Sequence, residues 1–142
     1  MENRNDLGTA TALRIALAPG RAAALGPLRA RLRAALADWG LAALTDTAEL
    51  LATELAGNAL RHTGAGAVFT ARPTGSGRLR VEVADASAEV PRPRTGADAD
   101  ALTDTAELET GGRGLLLVEA LAADWGVRLV GRGKVTWFEL RQ

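Results

Sequence analysis

With 142 residues, 17 basic and 17 acidic side chains and no cysteine, the chain has the length of one domain and no formal net charge. That balance gives no electrostatic footprint for nucleic acid and no polybasic surface for a membrane, and the missing cysteines exclude disulfides, thiolate chemistry and Cys-ligated metals. A single histidine leaves a His-cluster zinc site and a Ser-His-Asp relay without their parts.

Residues 1–10 read as a polar, disordered lead-in with no apolar core of a signal peptide, and no run of about 18 apolar residues follows anywhere. Together with the missing cysteines, this fits a reducing cytoplasm. From Thr11 to Leu17 the residues alternate, with Leu13, Ile15 and Leu17 on one side, which predicts a strand ended by Pro19-Gly20. Arg21 to Trp39 carries Leu25, Leu28, Leu32 and Leu36 at spacings of three and four, an amphipathic helix closed by Gly40. Sixteen of the 17 basic residues are arginine, a bias of a GC-rich genome rather than a physical demand.

The next helix, with Thr45 or Asp46 as N-cap, runs to about His62. Leu51, Leu55 and Leu60, with Ala52, Ala56 and Ala59, supply its apolar face. Glu54 and Asn58 lie four apart and so stand one above the other, with His62 a turn further along. A carboxylate and a carboxamide in that row suit oxygen-rich ligation of Mg²⁺ and polarisation of a hydroxyl or water. The same spacing also arises by chance on a solvated helix edge, so it counts only with the rest of the chain.

Ala67–Ala71 predicts a strand, Gly75-Ser76-Gly77 a turn, and Arg78–Asp85 a second strand of the hairpin. Leu79, Val81 and Val83 point inward, and the same phase carries Asp85 to the apolar side, where a carboxylate needs a partner or a ligand donor. From about 86 to 111 the pattern dissolves into Pro91, Pro93, Gly96 and scattered acids, read as a lid over a site or a disordered insert. Gly112, Arg113 and Gly114 then open a helix through Leu115 to Leu121, a place where bare N–H groups and a positive dipole end suit phosphate. Trp125–Val130, the turn Gly131-Arg132-Gly133 and Lys134–Leu140 form a closing hairpin. The order β-α-α-β-β-lid-α-β-β predicts an α/β (α+β) two-layer sandwich. Its sheet is mixed but mostly antiparallel and its helices lie on one face.

These segments resemble, in order and spacing from about Thr11 to Leu140, the histidine-kinase-like ATPase (GHKL, Bergerat-fold) family. Within it they are most similar to the short branch of anti-sigma-factor serine/threonine kinases. Glu54 to His62 resembles the family's N-box, Val83-Ala84-Asp85-Ala86-Ser87 its first glycine box, and Gly112 to Val118 its second. The resemblance implies a Bergerat ATP-binding domain over 11–142 that holds ATP and Mg²⁺. Asn58 would ligate the metal, and Glu54 would act as catalytic general base. Asp85 would accept the adenine amino group, with Ser87 beside it where the family usually has Gly. Backbone N–H groups of Gly112, Arg113, Gly114 and Leu115 would meet the phosphates, and Thr136 would stand in for the Thr that many members place where this chain has Lys134. Arg113 reads equally as a charge contact or as a solvated helix start, and His62 as a satisfied helix-end residue.

The resemblance also implies a regulatory partner, a sigma factor or a small antagonist protein, and a homodimer. Two functions follow. One is an ATP-dependent protein kinase that phosphorylates a Ser or Thr of the antagonist. The other is a non-catalytic docking module, ATP-bound or nucleotide-free, that sequesters its partner.

Overall fold

The computed structural model describes residues 12–62, 64–86 and 113–142. The lead-in over 1–10, Ser87 and Gly112, and all of the expected lid except Ala86, lie outside the described residues. The elements follow the predicted order: β1 (Leu13–Leu17), α1 (Arg21–Asp38), a 3-10 turn (Ala42–Leu44), α2 (Thr45–His62), β2 (Ala67–Gly75), β3 (Arg78–Asp85), α3 (Arg113–Leu121), β4 (Asp124–Val130) and β5 (Gly133–Arg141).

Leu28, Leu32 and Leu36 seal α1 onto the core so well that the helix runs through Pro27, whose ring removes one backbone hydrogen bond. The helix ends as predicted at Gly40. Leu41 N donates to Leu36 O at 2.8 Å and Gly40 N to Ala37 O at 3.2 Å, a Schellman closure that needs the positive φ of 74° at Gly40. The start of α2 differs from expectation. Thr45 and Asp46 are not caps but already helical, because the 3-10 turn Ala42–Leu44 feeds directly into the helix. Leu41 and Leu44 pin that turn into the core, which makes a side-chain cap unnecessary.

The five strands form one sheet in the order β1-β2-β3-β5-β4. Every pairing among the described residues is antiparallel, so the sheet is not mixed. β2 runs four residues past its predicted end and takes in Gly75, which leaves Ser76 and Gly77 as the hairpin tip. One face of the sheet presents Ile15, Phe69, Leu79, Val81, Val83, Phe138 and Leu140 to α1, α2 and α3, and these residues join the helices' leucines in a single core. α2 is the central helix: it packs on β2 and β3 and touches both other helices.

The opposite face is polar. Arg80 Nε donates to Glu82 Oε2 at 2.8 Å and its Nη1 to Glu139 Oε2 at 2.9 Å, while its guanidinium lies 4.1 Å from the Trp137 ring centroid. Burial pulls the Arg80 pKa down, but the hydrogen bonds and charges of Glu82 and Glu139 outweigh it and leave the value raised. Trp137 in turn lies over Gly126, its pairing partner on β4.

Candidate functional site

The predicted inward phase of Asp85 is what the fold builds. β3 alternates from Leu79 to Asp85, and the strand pairs on both sides, so the last residue keeps the buried phase of Val81 and Val83. A single row of paired residues crosses all five strands there, in the order Leu17, Ala67, Asp85, Lys134, Leu129. Lys134 Nζ donates to Asp85 Oδ1 at 2.9 Å, and the two side chains are 6% and 2% exposed. The strands approach closely at this point: a Cβ on Gly133 would stand 2.1 Å from Asp85 O. A carboxylate at the closed end of the sheet is therefore held both by its own strand and by the neighbouring one.

Thr136 occupies the next inward position on β5, buried and paired with Val83 on one side and Val127 on the other. Across the core on α2, Glu54 and Asn58 are both half-buried, one turn apart, between the buried Leu51, Leu55 and Leu60. Arg61 Nη2 donates to Asn58 Oδ1 one turn further on. No ion pair or side-chain hydrogen bond of Glu54 occurs among the described residues. α3 begins at Arg113, two residues earlier than Leu115, and is anchored by the buried Leu115 and Val118 against α2. Of the second glycine segment only Arg113, Gly114 and Leu115 are thus placed, with Gly112 and Ser87 outside the described residues. His62 closes α2.

Two contacts were not foreseen from the sequence: Arg61 on Asn58 and Lys134 on Asp85. Both had a signal. Arg61 stands three residues after Asn58 on a helix, and Lys134 shares the odd-even phase of Thr136, Phe138 and Leu140 on β5.

This arrangement can do two things chemically. An inward carboxylate beside an inward ammonium can read the polar edge of a flat ligand, and a carboxylate and carboxamide in one helical row can meet a charged tail. The family model described as the histidine kinase-like ATPase domain matches residues 18–140, which takes in Glu54, Asn58, Asp85 and the start of α3. The chain belongs to that family. Its fold is similar to solved structures: the RsbU and RsbW domains of Rv1364c from Mycobacterium tuberculosis share 23% identity over 92% of this chain and 32% of that one, with a TM-score of 0.65. The SiaB-SiaC complex from Pseudomonas aeruginosa shares 13% identity over 97% of this chain and 94% of that one, with a TM-score of 0.64. This chain thus spans about a third (32%) of the length of the first relative and nearly all of the second. No curated protein matches it significantly.

As a histidine kinase-like ATPase domain the chain has ATP as its family ligand. The residues present fit it, since a base with an exocyclic amino group supplies the donor that the buried Asp85 carboxylate can accept. No group of three or more His, Asp or Glu among the described residues could hold a metal by itself. A Mg²⁺ ion here would rest on Asn58 and on the phosphates of its ligand, the usual habit of that ion. No helix among the described residues is long and apolar enough to cross a membrane.

Proposed function

We propose that the chain is an ATP- and Mg²⁺-dependent serine/threonine protein kinase, with one domain over 11–142, that phosphorylates a small regulatory antagonist protein in the cytoplasm. The observation that carries this reading is the family match over 18–140, inside which Glu54 stands intact on α2 one turn from Asn58. In this reading Asp85 would accept a hydrogen bond from the amino group of adenine, and Asn58 would ligate Mg²⁺. Backbone N–H groups of Gly112, Arg113, Gly114 and Leu115 position the phosphates, with Ser87 and Thr136 beside the base. Bound Mg²⁺ would neutralise phosphate charge. Glu54 takes the proton of the incoming Ser or Thr hydroxyl as its oxygen attacks the γ-phosphorus and the bond to the β-γ bridging oxygen breaks. The kinship in fold with SiaB, solved in complex with SiaC, supports a protein partner of the same regulatory kind.

A second reading is a docking module that sequesters a sigma factor or another regulator without transferring phosphate. What favours it is that two of the proposed ligand groups are already engaged within the protein, Asn58 by Arg61 and Asp85 by Lys134. Calorimetric titration with ATP, in Mg²⁺ and then in EDTA, separates the kinase from a nucleotide-free module, and transfer of the labelled γ-phosphoryl group of ATP to the partner protein separates it from an ATP-bound one. Micromolar, Mg²⁺-dependent binding supports the kinase. Silence at millimolar ATP turns the domain into a docking module, its partner to be sought by pull-down.

A further inference from the structure

The sheet face turned away from the helices carries Arg14, Arg72, Arg78, Arg80, Arg128 and Arg141, in a chain whose formal charges cancel. The acids of the same face are Glu82, Glu139 and Asp124. Arg80 engages the first two, and the Asp124 carboxylate accepts the backbone N–H of Trp125 at 2.9 Å. The guanidinium groups other than that of Arg80 are exposed and make no ion pair or side-chain hydrogen bond among the described residues. The register makes this arrangement costly. Arg72 stands directly opposite Arg80, and Arg78 directly opposite Arg141, where like charges weaken a strand pair. Codon bias accounts for basic residues being arginine, but not for arginine facing arginine across strands. Solubility is served as well by interspersed signs.

An apolar band crosses the same face. Ala16, Val68, Ala84 and Val135 are successive partners in one row over β1, β2, β3 and β5, and Val130, 52% exposed, lies two residues beyond the row's end at Arg128 on β4. At about 4.8 Å per strand the row is ~19 Å long, the reach of about six extended residues. Trp137 is half-buried in the adjoining row, packed against Gly126 and stacked by Arg80.

Apolar side chains around an aromatic centre, rimmed by arginine, have the anatomy of a protein-binding surface. Charge selects the occupant. A second copy docked face to face would set unpaired arginines against their equals. Nucleic acid would meet the arginines but leave the apolar band uncovered, and Trp137 beneath Arg80 is no open platform for a base. We propose that this face docks an acidic segment of a partner protein whose carboxylates flank apolar side chains. The surface lies opposite the side that carries Asp85, so the proposal stands whether or not the nucleotide reading does.

Its test is titration of the ¹⁵N-labelled full chain, followed by NMR, with a short synthetic peptide that alternates glutamate with leucine. The Trp137 indole N–H and the outward residues of β2, β3 and β5 are expected to shift together, with a dissociation constant below about 1 mM. The double reversal Arg72→Glu/Arg128→Glu should weaken binding at least about tenfold, while Arg29→Glu/Arg31→Glu on α1, the same change in net charge, should stay within about threefold. No shift of the Trp137 signal at millimolar peptide overturns the proposal, and so do equal losses for the two reversals. A single-stranded oligonucleotide that moves the same signals at lower concentration than the peptide overturns it in favour of nucleic acid, and concentration-dependent shifts of the parent alone in favour of a second copy. Where the reversal fails to fold, the parent's titrations decide alone.

Discussion

Lys134 Nζ and Asp85 Oδ1 meet at 2.9 Å across β3 and β5, both side chains almost closed to solvent, on the same sheet face that carries the hydrophobic core. Removing the cation leaves a buried carboxylate short of its nearest charge partner. Lys134→Met is therefore expected to lower the unfolding free energy by about 3 kcal/mol, and the double variant Asp85→Asn/Lys134→Met to regain most of it. Urea denaturation reads both; a single variant within about 0.5 kcal/mol of the parent would mean that the contact carries no buried charge.

Gly133→Ala attacks the same place through the backbone. The added methyl would stand 2.1 Å from Asp85 O, and main chain cannot turn aside as a side chain can. The start of β5 must separate from the end of β3. The expected result is a loss of at least about 2 kcal/mol in stability together with at least about tenfold weaker ATP binding, since Asp85 moves with its strand. Unchanged melting and unchanged affinity would remove the close approach from the account.

Glu54 and Asn58 occupy one helical row yet should fail differently. Asn58→Ala is expected to erase the difference between titrations in Mg²⁺ and in EDTA. Glu54→Gln should keep ATP affinity within about threefold while slowing phosphoryl transfer by at least about a hundredfold, the usual worth of a general base. Both side chains are half-buried, so neither substitution is expected to cost more than about 1 kcal/mol of stability. Transfer at the parent rate by Glu54→Gln would remove Glu54 from the chemistry.

On the far face, Gly126 lies beneath Trp137, where a Cβ would come within 2.9 Å of the indole ring. Gly126→Ala should push the ring off its stack with Arg80 at a cost of about 1–3 kcal/mol. Thermal melting measures it, and nucleotide binding, proposed for the other face, should stay within about threefold.

How much of this was legible in the sequence depended on period. Alternation in β3 placed Asp85 inward correctly, because a residue at the end of a strand paired on both sides cannot leave its phase. The same rule applied to β5 would have placed Lys134 inward opposite it. The predicted strand already began at Lys134, but the inward phase was followed only along β3, and the turn assigned to Gly131-Arg132-Gly133 left Lys134 at a strand's very start, whereas Gly133 in fact belongs to the strand. The start of α2 was misread for a different reason: Thr45 and Asp46 carry the chemistry of caps, but the packing of Leu41 and Leu44 lets the turn before them fill that role. Helix α1 was read through Pro27 correctly, because the leucine spacing outweighs one lost hydrogen bond.

A chain with one lysine has one side-chain amine, and here it sits beneath the site instead of on the surface. Acylating reagents that decorate most proteins at many exposed points will find no other side-chain target of that kind. The rate at which they modify Lys134 therefore measures how often β3 and β5 part at this end of the sheet. Any ligand that seats itself against Asp85 will be seen as protection of a single, known atom.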